Sequence, residues 1–263
     1  MYICPICKQQ LNKLGGKYTC AKNHSFDVAR QGYVNLLPVS GKKSLSPGDN
    51  ELMTNARREF LLGGYYDKLL NKICELLENF NVQTLVDSGC SEGYYTKNMA
   101  KHCKTVYAYD ISKSAVKLAS AEDKTSRYFV ASAFHIPLQN EMADAVTKIF
   151  APDSPKEFSR ILNKNGVLIE VIPGEEHLLE IKQRLYEEVY LNKIEKAQKD
   201  SFEILTEESL KYSFVPTKEG LENLFKMTPY YYKTAKSGEN NLLKGESFEI
   251  TADFIIRVYK KRY

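Results

Sequence analysis

The chain has 263 residues, with 43% hydrophobic and 27% charged residues and a net charge of +4, a composition that excludes disordered and fibrous classes and is long enough for one large domain or a medium one with an appendage. No apolar run is long enough to cross a membrane, and the N-terminus MYICPICK lacks the basic-then-apolar pattern of a secretory signal. A cytoplasmic protein without a membrane partner is expected, its six cysteines serving as thiols or metal ligands rather than as a disulfide framework.

In chain order, CPIC (4–7) and CAKNH (20–24) set Cys4, Cys7, Cys20 and His24 in a C-x2-C-x12-C-x3-H pattern. Zinc takes four tetrahedral thiolate and imidazole ligands, and two tight knuckles can bring two close pairs to one point. Four protein ligands leave no open coordination position, so the expected Zn2+ is structural rather than catalytic. A segment of about 40 residues is too small to fold by burial alone, which a metal remedies. Residues 1–40 are therefore expected to form a zinc-binding module. Positive charge gathers at this end, with nine Lys/Arg against four Asp/Glu in residues 1–60, as in a nucleic-acid-reading module; a solvated basic face would give the same pattern.

VSGKKSLSPGDN (39–50) reads as a linker or exposed loop. Residues 41–80 are expected to hold it and two helices, Leu52 to Leu62 and Tyr66 to Phe80, interrupted at Gly63-Gly64. From residue 81 to 263 strand-like and helical segments alternate. The strands are TLVD (84–87), TVYAYD (105–110), RYFVAS (127–132), DAVTKIF (144–150) and GVLIEVIP (166–173), and the helices include a long stretch from Glu175 to about Lys193. This pattern predicts βαβ units and an α/β, Rossmann-like parallel sheet that binds ligands at the carboxyl ends of its strands. SFEITADFIIRVYKK should add a last strand at or near the sheet edge, and Cys74, Cys90 and Cys103 read as small core residues.

The stretch LVDSGCSEGYYT (85–96) joins the first of these strands to a helix. Backbone N–H groups from Gly89 to Gly93 are expected at that helix N-terminus, facing polar ligand groups. A dinucleotide loop would read G-x-G-x-x-G and a phosphate loop would need Gly-Lys-Ser/Thr; neither is present. Asp87 before the loop and Asp110 at the tip of the next strand suit a ligand with an amino acid part and a ribose but no phosphate, which S-adenosylmethionine satisfies. Asp110 could equally cap the helix that begins after Ser112. Ser91 adds a hydroxymethyl group that the loop accepts at negative φ.

The run CPICKQQLNKLGGKYTCAKNHSFDVARQGYVNLLPV, followed by SPGDN, ARREFLLGGYY, DSGCSEGYYT, IPGEEHLLEIKQRLY and KMTPY, resembles the bacterial 23S rRNA (guanine-N1-)-methyltransferase family, from Cys4 almost to the last residue. The resemblance implies a zinc-ribbon module that helps recognise an rRNA hairpin, an S-adenosylmethionine-dependent methyltransferase domain, and a homodimer. It also implies cofactor contacts at Tyr66, Ser91, Glu92 and His177; on spacing alone His177 could equally be a helix-start residue. Family members usually carry glycine where this chain has Ser91.

Methylation of guanine N1 needs its proton drawn off, and acids at strand ends offer a base: Asp153 first, with Glu170 and Glu175 as alternatives, each also readable as a cap or a solvated acid. For RNA, Lys8, Lys13, Lys17, Arg30, Lys42 and Lys43 would meet phosphates, and Tyr18, Phe26 and Tyr33 would stack on unpaired bases, although Phe26 and Tyr33 read equally as the small core of the zinc module. Two other functions fit parts of the sequence: a small-molecule methyltransferase, and a non-catalytic RNA-binding protein with a degenerate methyltransferase fold.

Overall fold

The computed structural model describes residues 1–38, 48–194, 196–234, 236–243 and 247–262; most of the expected linker, with Lys42 and Lys43, lies outside them. A small antiparallel sheet comes first, from β1 (Asn12–Leu14), β2 (Lys17–Thr19) and β3 (Ser25–Asp27), and β4 (Val34–Asn35) follows. Next come α1 (Glu51–Leu62), α2 (Asp67–Asn79), β5 (Thr84–Ser88), α3 (Tyr94–Met99), β6 (Thr105–Asp110), α4 (Lys113–Glu122), β7 (Arg127–Val130), β8 (Ala143–Ile149), α5 (Pro155–Ile161), β9 (Leu162–Pro173) and α6 (Leu179–Leu185). The chain then adds β10 (Phe202–Phe214), α7 (Lys218–Lys226) and β11 (Ile250–Lys261).

The large sheet has eight strands in the order β10-β11-β9-β8-β5-β6-β7-β4. All neighbours pair in parallel except β9 with β11 and β11 with β10. The chain moves outward from β5 through β6 to β7, then returns to the other side of β5 to lay down β8. That reversal opens a crevice at the carboxyl ends of β5 and β8, where open α/β sheets bind ligands.

Alternate residues of each strand serve opposite faces. Leu85, Val106, Ala145 and Val167 pack with α1, α2, α6 and α7, whereas Val86, Tyr107, Val146 and Leu168 share a cluster with Phe158 of α5 and with Tyr2, Leu11 and Val34. The N-terminal segment therefore covers part of the second face of the sheet. Tyr2 meets Tyr107 and Phe129 edge-on at 5.6 and 5.2 Å, Ile3 N donates to Pro137 O at 3.0 Å, and β4 extends the sheet beside β7.

One expectation needs correction, and one strand is unforeseen. The helix from Glu175 to about Lys193 shrinks to α6, because Leu178 turns to φ +57 before it and Tyr186 is extended after it. Residues beyond α6 are held without a helix by Lys182 Nζ, which donates to Tyr190 O and to Asn192 Oδ1. The strand β10, absent from the sequence reading, takes the outer edge, leaving β11 one place in and buried along most of its length.

Candidate active site and metal centre

In the N-terminal module Cys4, Cys7, Cys20 and His24 converge as expected, their ligand atoms all within 4.8 Å of one another. Tetrahedral zinc at its usual bond lengths would put sulfur atoms about 3.8 Å apart and sulfur and nitrogen about 3.6 Å apart. The separations are 3.6 Å for Cys7 Sγ to Cys20 Sγ, and 3.5 Å from His24 Nδ1 to both Cys4 Sγ and Cys20 Sγ. Three thiols and one imidazole nitrogen at these distances fit zinc, with Nδ1 as the imidazole ligand. Lys8, Lys13, Lys17 and Arg30 are exposed. Tyr33, one of the expected stacking residues, is instead 5% exposed and packs in a core cluster with Cys90 and Tyr128.

The loop after β5 turns on Gly89, at φ +77, whose added Cβ would lie 2.5 Å from the Ala151 Cβ. Glycine here lets the loop touch the chain beyond β8 across the crevice. Contrary to expectation, most N–H groups of this loop are turned inward rather than toward a ligand: those of Gly89 and Cys90 both donate to Tyr109 O, and that of Gly93, which at φ +85 starts α3, donates to Cys90 O, each at 2.9 Å. Ser91 lies at φ +46, not at the negative φ expected. Its N–H donates to Asp110 Oδ2 at 3.0 Å, and its hydroxyl accepts from Arg57 Nη1 at 2.8 Å.

Asp110 also accepts from Ser112 N through Oδ1, so it fixes the loop and the entry to α4, while each carboxylate oxygen retains lone-pair capacity for a ribose hydroxyl. Asp87 is 2% exposed and accepts from the Thr96 and Thr147 hydroxyls. Burial pushes its pKa up to about 6, the two hydroxyls opposing the shift. Glu92 is buried as well, and burial raises its pKa against the pull of the Arg57 guanidinium. Its Oε2 has no hydrogen-bond partner among the described residues. A buried acceptor left open at this loop fits the ammonium group of the methionine part of S-adenosylmethionine.

Arg57, which sequence reading missed, pairs with Asp49 and reaches Ser91 from α1. The ARREFL stretch carried that arginine, but a separation of 34 positions between the partners gave no local signal.

Tyr66, at the start of α2, and His177, in the turn after β9, come together although 111 residues apart: Tyr66 Oη lies 3.4 Å from His177 Nε2. The backbone N–H of Asp253 donates to His177 Nδ1 at 3.3 Å, which leaves the ring proton on Nε2, facing Tyr66. Burial, with the Lys182 charge adding to it, lowers the His177 pKa to about 3, so the imidazole is neutral at physiological pH. Both residues line a cavity of about 620 Å³ together with Arg57, Lys148, Phe150 and Tyr230.

The candidate bases differ in setting. Glu170 is 1% exposed and is held by Lys148 at 2.7 Å, Lys199 at 3.1 Å and Tyr259 Oη at 3.0 Å. Burial opposes its charge, but the two ammonium groups outweigh it and keep the carboxyl below the ordinary glutamate value. Asp153 binds Lys199 through Oδ2, whereas its buried Oδ1 has no hydrogen-bond partner among the described residues. Glu175 is exposed.

Comparison with known proteins agrees with this geometry. Residues 2–45 match a family model described as "RlmA, N-terminal", and residues 86–169 match one described as "Methyltransferase domain". The chain is 30% identical to "Putative 23S rRNA (guanine-N(1)-)-methyltransferase YxjB" of Bacillus subtilis (strain 168), over 99% of this chain and 97% of that protein. It is 31% identical to the "23S rRNA (guanine(748)-N(1))-methyltransferase" of Streptomyces fradiae, over 69% of this chain and 66% of that one. Among solved structures, the YcgJ protein of Bacillus subtilis superposes with a TM-score of 0.50 at 14% identity, over 74% of this chain and 98% of that one, a likeness of fold. A Cys3His cluster seated on a methyltransferase sheet, matched almost end to end by such a relative, means that the chain belongs to the 23S rRNA (guanine-N1-)-methyltransferase family.

Proposed function

We propose that this protein transfers a methyl group from S-adenosylmethionine to N1 of a guanine in a hairpin of 23S rRNA, with residues 1–40 acting in RNA recognition and residues 81–263 in methyl transfer. The observation that carries this reading is the joining, in one chain, of the Cys3His centre to a cofactor loop with an open buried acceptor at Glu92. An enzyme with this substrate acts in the cytoplasm. Among the described residues no helix is long and apolar enough to cross a membrane.

When bound, S-adenosylmethionine supplies an electrophilic methyl on a sulfonium, which is a good leaving group. The residues of this chain then have two tasks. The first is positioning, on the order of 7 kcal/mol or more of the barrier. Glu92 holds the methionine part, Asp110 the ribose hydroxyls, and Asp87 stiffens the strand end through Thr96 and Thr147. Tyr66, receiving the His177 Nε2 proton, keeps its own hydroxyl proton to donate into the cavity. The second task is removing the N1 proton, a step that a positioned base accelerates by about 10² to 10⁴-fold. Asp153 Oδ1 is the acceptor for it, while Lys199 holds Oδ2.

The test is transfer of labelled methyl to naked 23S rRNA, followed by reverse transcription of the product. N1 methylation blocks the Watson–Crick edge, so a new stop at one guanine is expected. Incorporation without a stop would assign the methyl to another atom, and no incorporation would remove the reading. The homodimer implied by the family resemblance belongs to the same proposal, and sedimentation at micromolar concentration should return twice the chain mass.

A further inference from the structure

Phe150 follows β8 directly and takes φ +53, a conformation that a bulky residue adopts only where its surroundings enforce it. Its N–H donates to Val171 O at 3.1 Å, tying this turn to β9. The enforced turn does not bury the ring. Phe150 is 45% exposed and lines the 620 Å³ cavity. Its ring contacts among the described residues are a stacked one with His177 at 6.0 Å and a tilted one with Phe254 at 5.8 Å. A strained backbone and a half-exposed aromatic ring each disfavour the native state, yet both occur at one residue on a cavity wall.

The neighbours of this ring carry the chemistry. Ala151 is the residue against which Gly89 of the cofactor loop is packed. Asp153, three positions on, has a buried Oδ1 without a hydrogen-bond partner among the described residues, 4.0 Å from the Lys148 ammonium, and Pro152 between them restricts the backbone. A flat base resting on Phe150 would thus lie beside Ala151, which also lines the cavity and against which the cofactor loop packs. We propose that Phe150 is the platform on which the acceptor guanine stacks after leaving the RNA hairpin, a role that rests on the reading of this protein as an RNA guanine methyltransferase. Stacking on an aromatic ring is how unpaired bases are held, and a base that undergoes chemistry must first be taken out of its helix.

The chain contains no tryptophan, so Phe150→Trp introduces a single indole whose emission is quenched by a stacked guanine. With zinc-loaded protein and S-adenosylhomocysteine present, titration with GMP should quench it saturably, and CMP should do so at least several-fold more weakly. Phe150→Gly, unstrained at a positive φ, should fold as well as the parent. It should lose about 10- to 100-fold in methyl transfer to 23S rRNA, with S-adenosylmethionine affinity within about twofold, and Phe150→Tyr should restore most of the rate. Full activity in Phe150→Gly, or indole emission unmoved by GMP and by rRNA alike, would overturn the stacking role while leaving the reaction standing. A parent chain that transfers no methyl to 23S rRNA would remove the reaction, and this role with it.

Discussion

Ser91 occupies a position where the backbone asks for glycine. At φ +46 it sits between Gly89 and Gly93, at +77 and +85, and a side chain there costs about 1–2 kcal/mol. In return its hydroxyl accepts from Arg57 and its N–H ties the loop to Asp110, contacts that its neighbours in sequence could not reveal. Ser91→Gly exchanges the hydroxyl bond for relief of strain and should leave stability nearly unchanged, whereas Ser91→Ala keeps the strain and loses the bond. Urea denaturation should therefore rank Ala below Gly by about 1 kcal/mol, with the cofactor Kd of the Gly variant within tenfold of the parent, about 1.4 kcal/mol. Asp87 gives a pH signature. Its folded pKa of about 6 lies above the ordinary aspartate value of 3.8, so its contribution to stability is fully present below that lower value and is lost as pH rises through about 6. Asp87→Asn should flatten this slope, gaining roughly 3 kcal/mol on the parent between pH 4 and pH 7 when unfolding is followed at several pH values.

Strands and helices were legible where apolar spacing is local. The five core strands, α1, α2 and the crossover helices all follow from periodicity, since each buries residues two or about 3.6 positions apart. The strand β10 was not legible, because an edge strand with most of its residues exposed carries little apolar pattern, and its pairing with β11 is a long-range choice. The shortened α6 has a similar origin: the turn before it is bound to β11. Gly174 N donates to Asp253 O at 2.8 Å, and a Cβ on Gly174 would come within 2.3 Å of the Asp253 carboxyl group. Gly174→Ala should therefore displace the Asp253 carboxyl group, break its bond to Glu176 N and disturb the His177 turn. We expect a loss of about 1–3 kcal/mol in denaturant unfolding, together with weaker S-adenosylmethionine binding by calorimetry, because Asp253 N holds His177 Nδ1.

The zinc module and the methyltransferase sheet share one hydrophobic cluster, in which Cys4, Cys20 and Tyr2 pack with Tyr107, Phe129 and Val146. Calorimetry of the zinc-loaded chain should show one transition, and chelation should lower the stability of the sheet along with that of the ribbon; two separate transitions would mean independent modules. Chelation should also abolish rRNA methylation. The amino-acid order alone determined the four zinc ligands, the parallel α/β core and the loop between Asp87 and Asp110, because each is written in spacings of a few residues. Tertiary structure alone decided that Arg57 meets Ser91, that Tyr66 meets His177, that Phe150 is held at a positive φ on the cavity wall, and that the ribbon covers a sheet face. Those contacts join residues tens to more than a hundred positions apart, and only closure of the whole sheet brings them within reach.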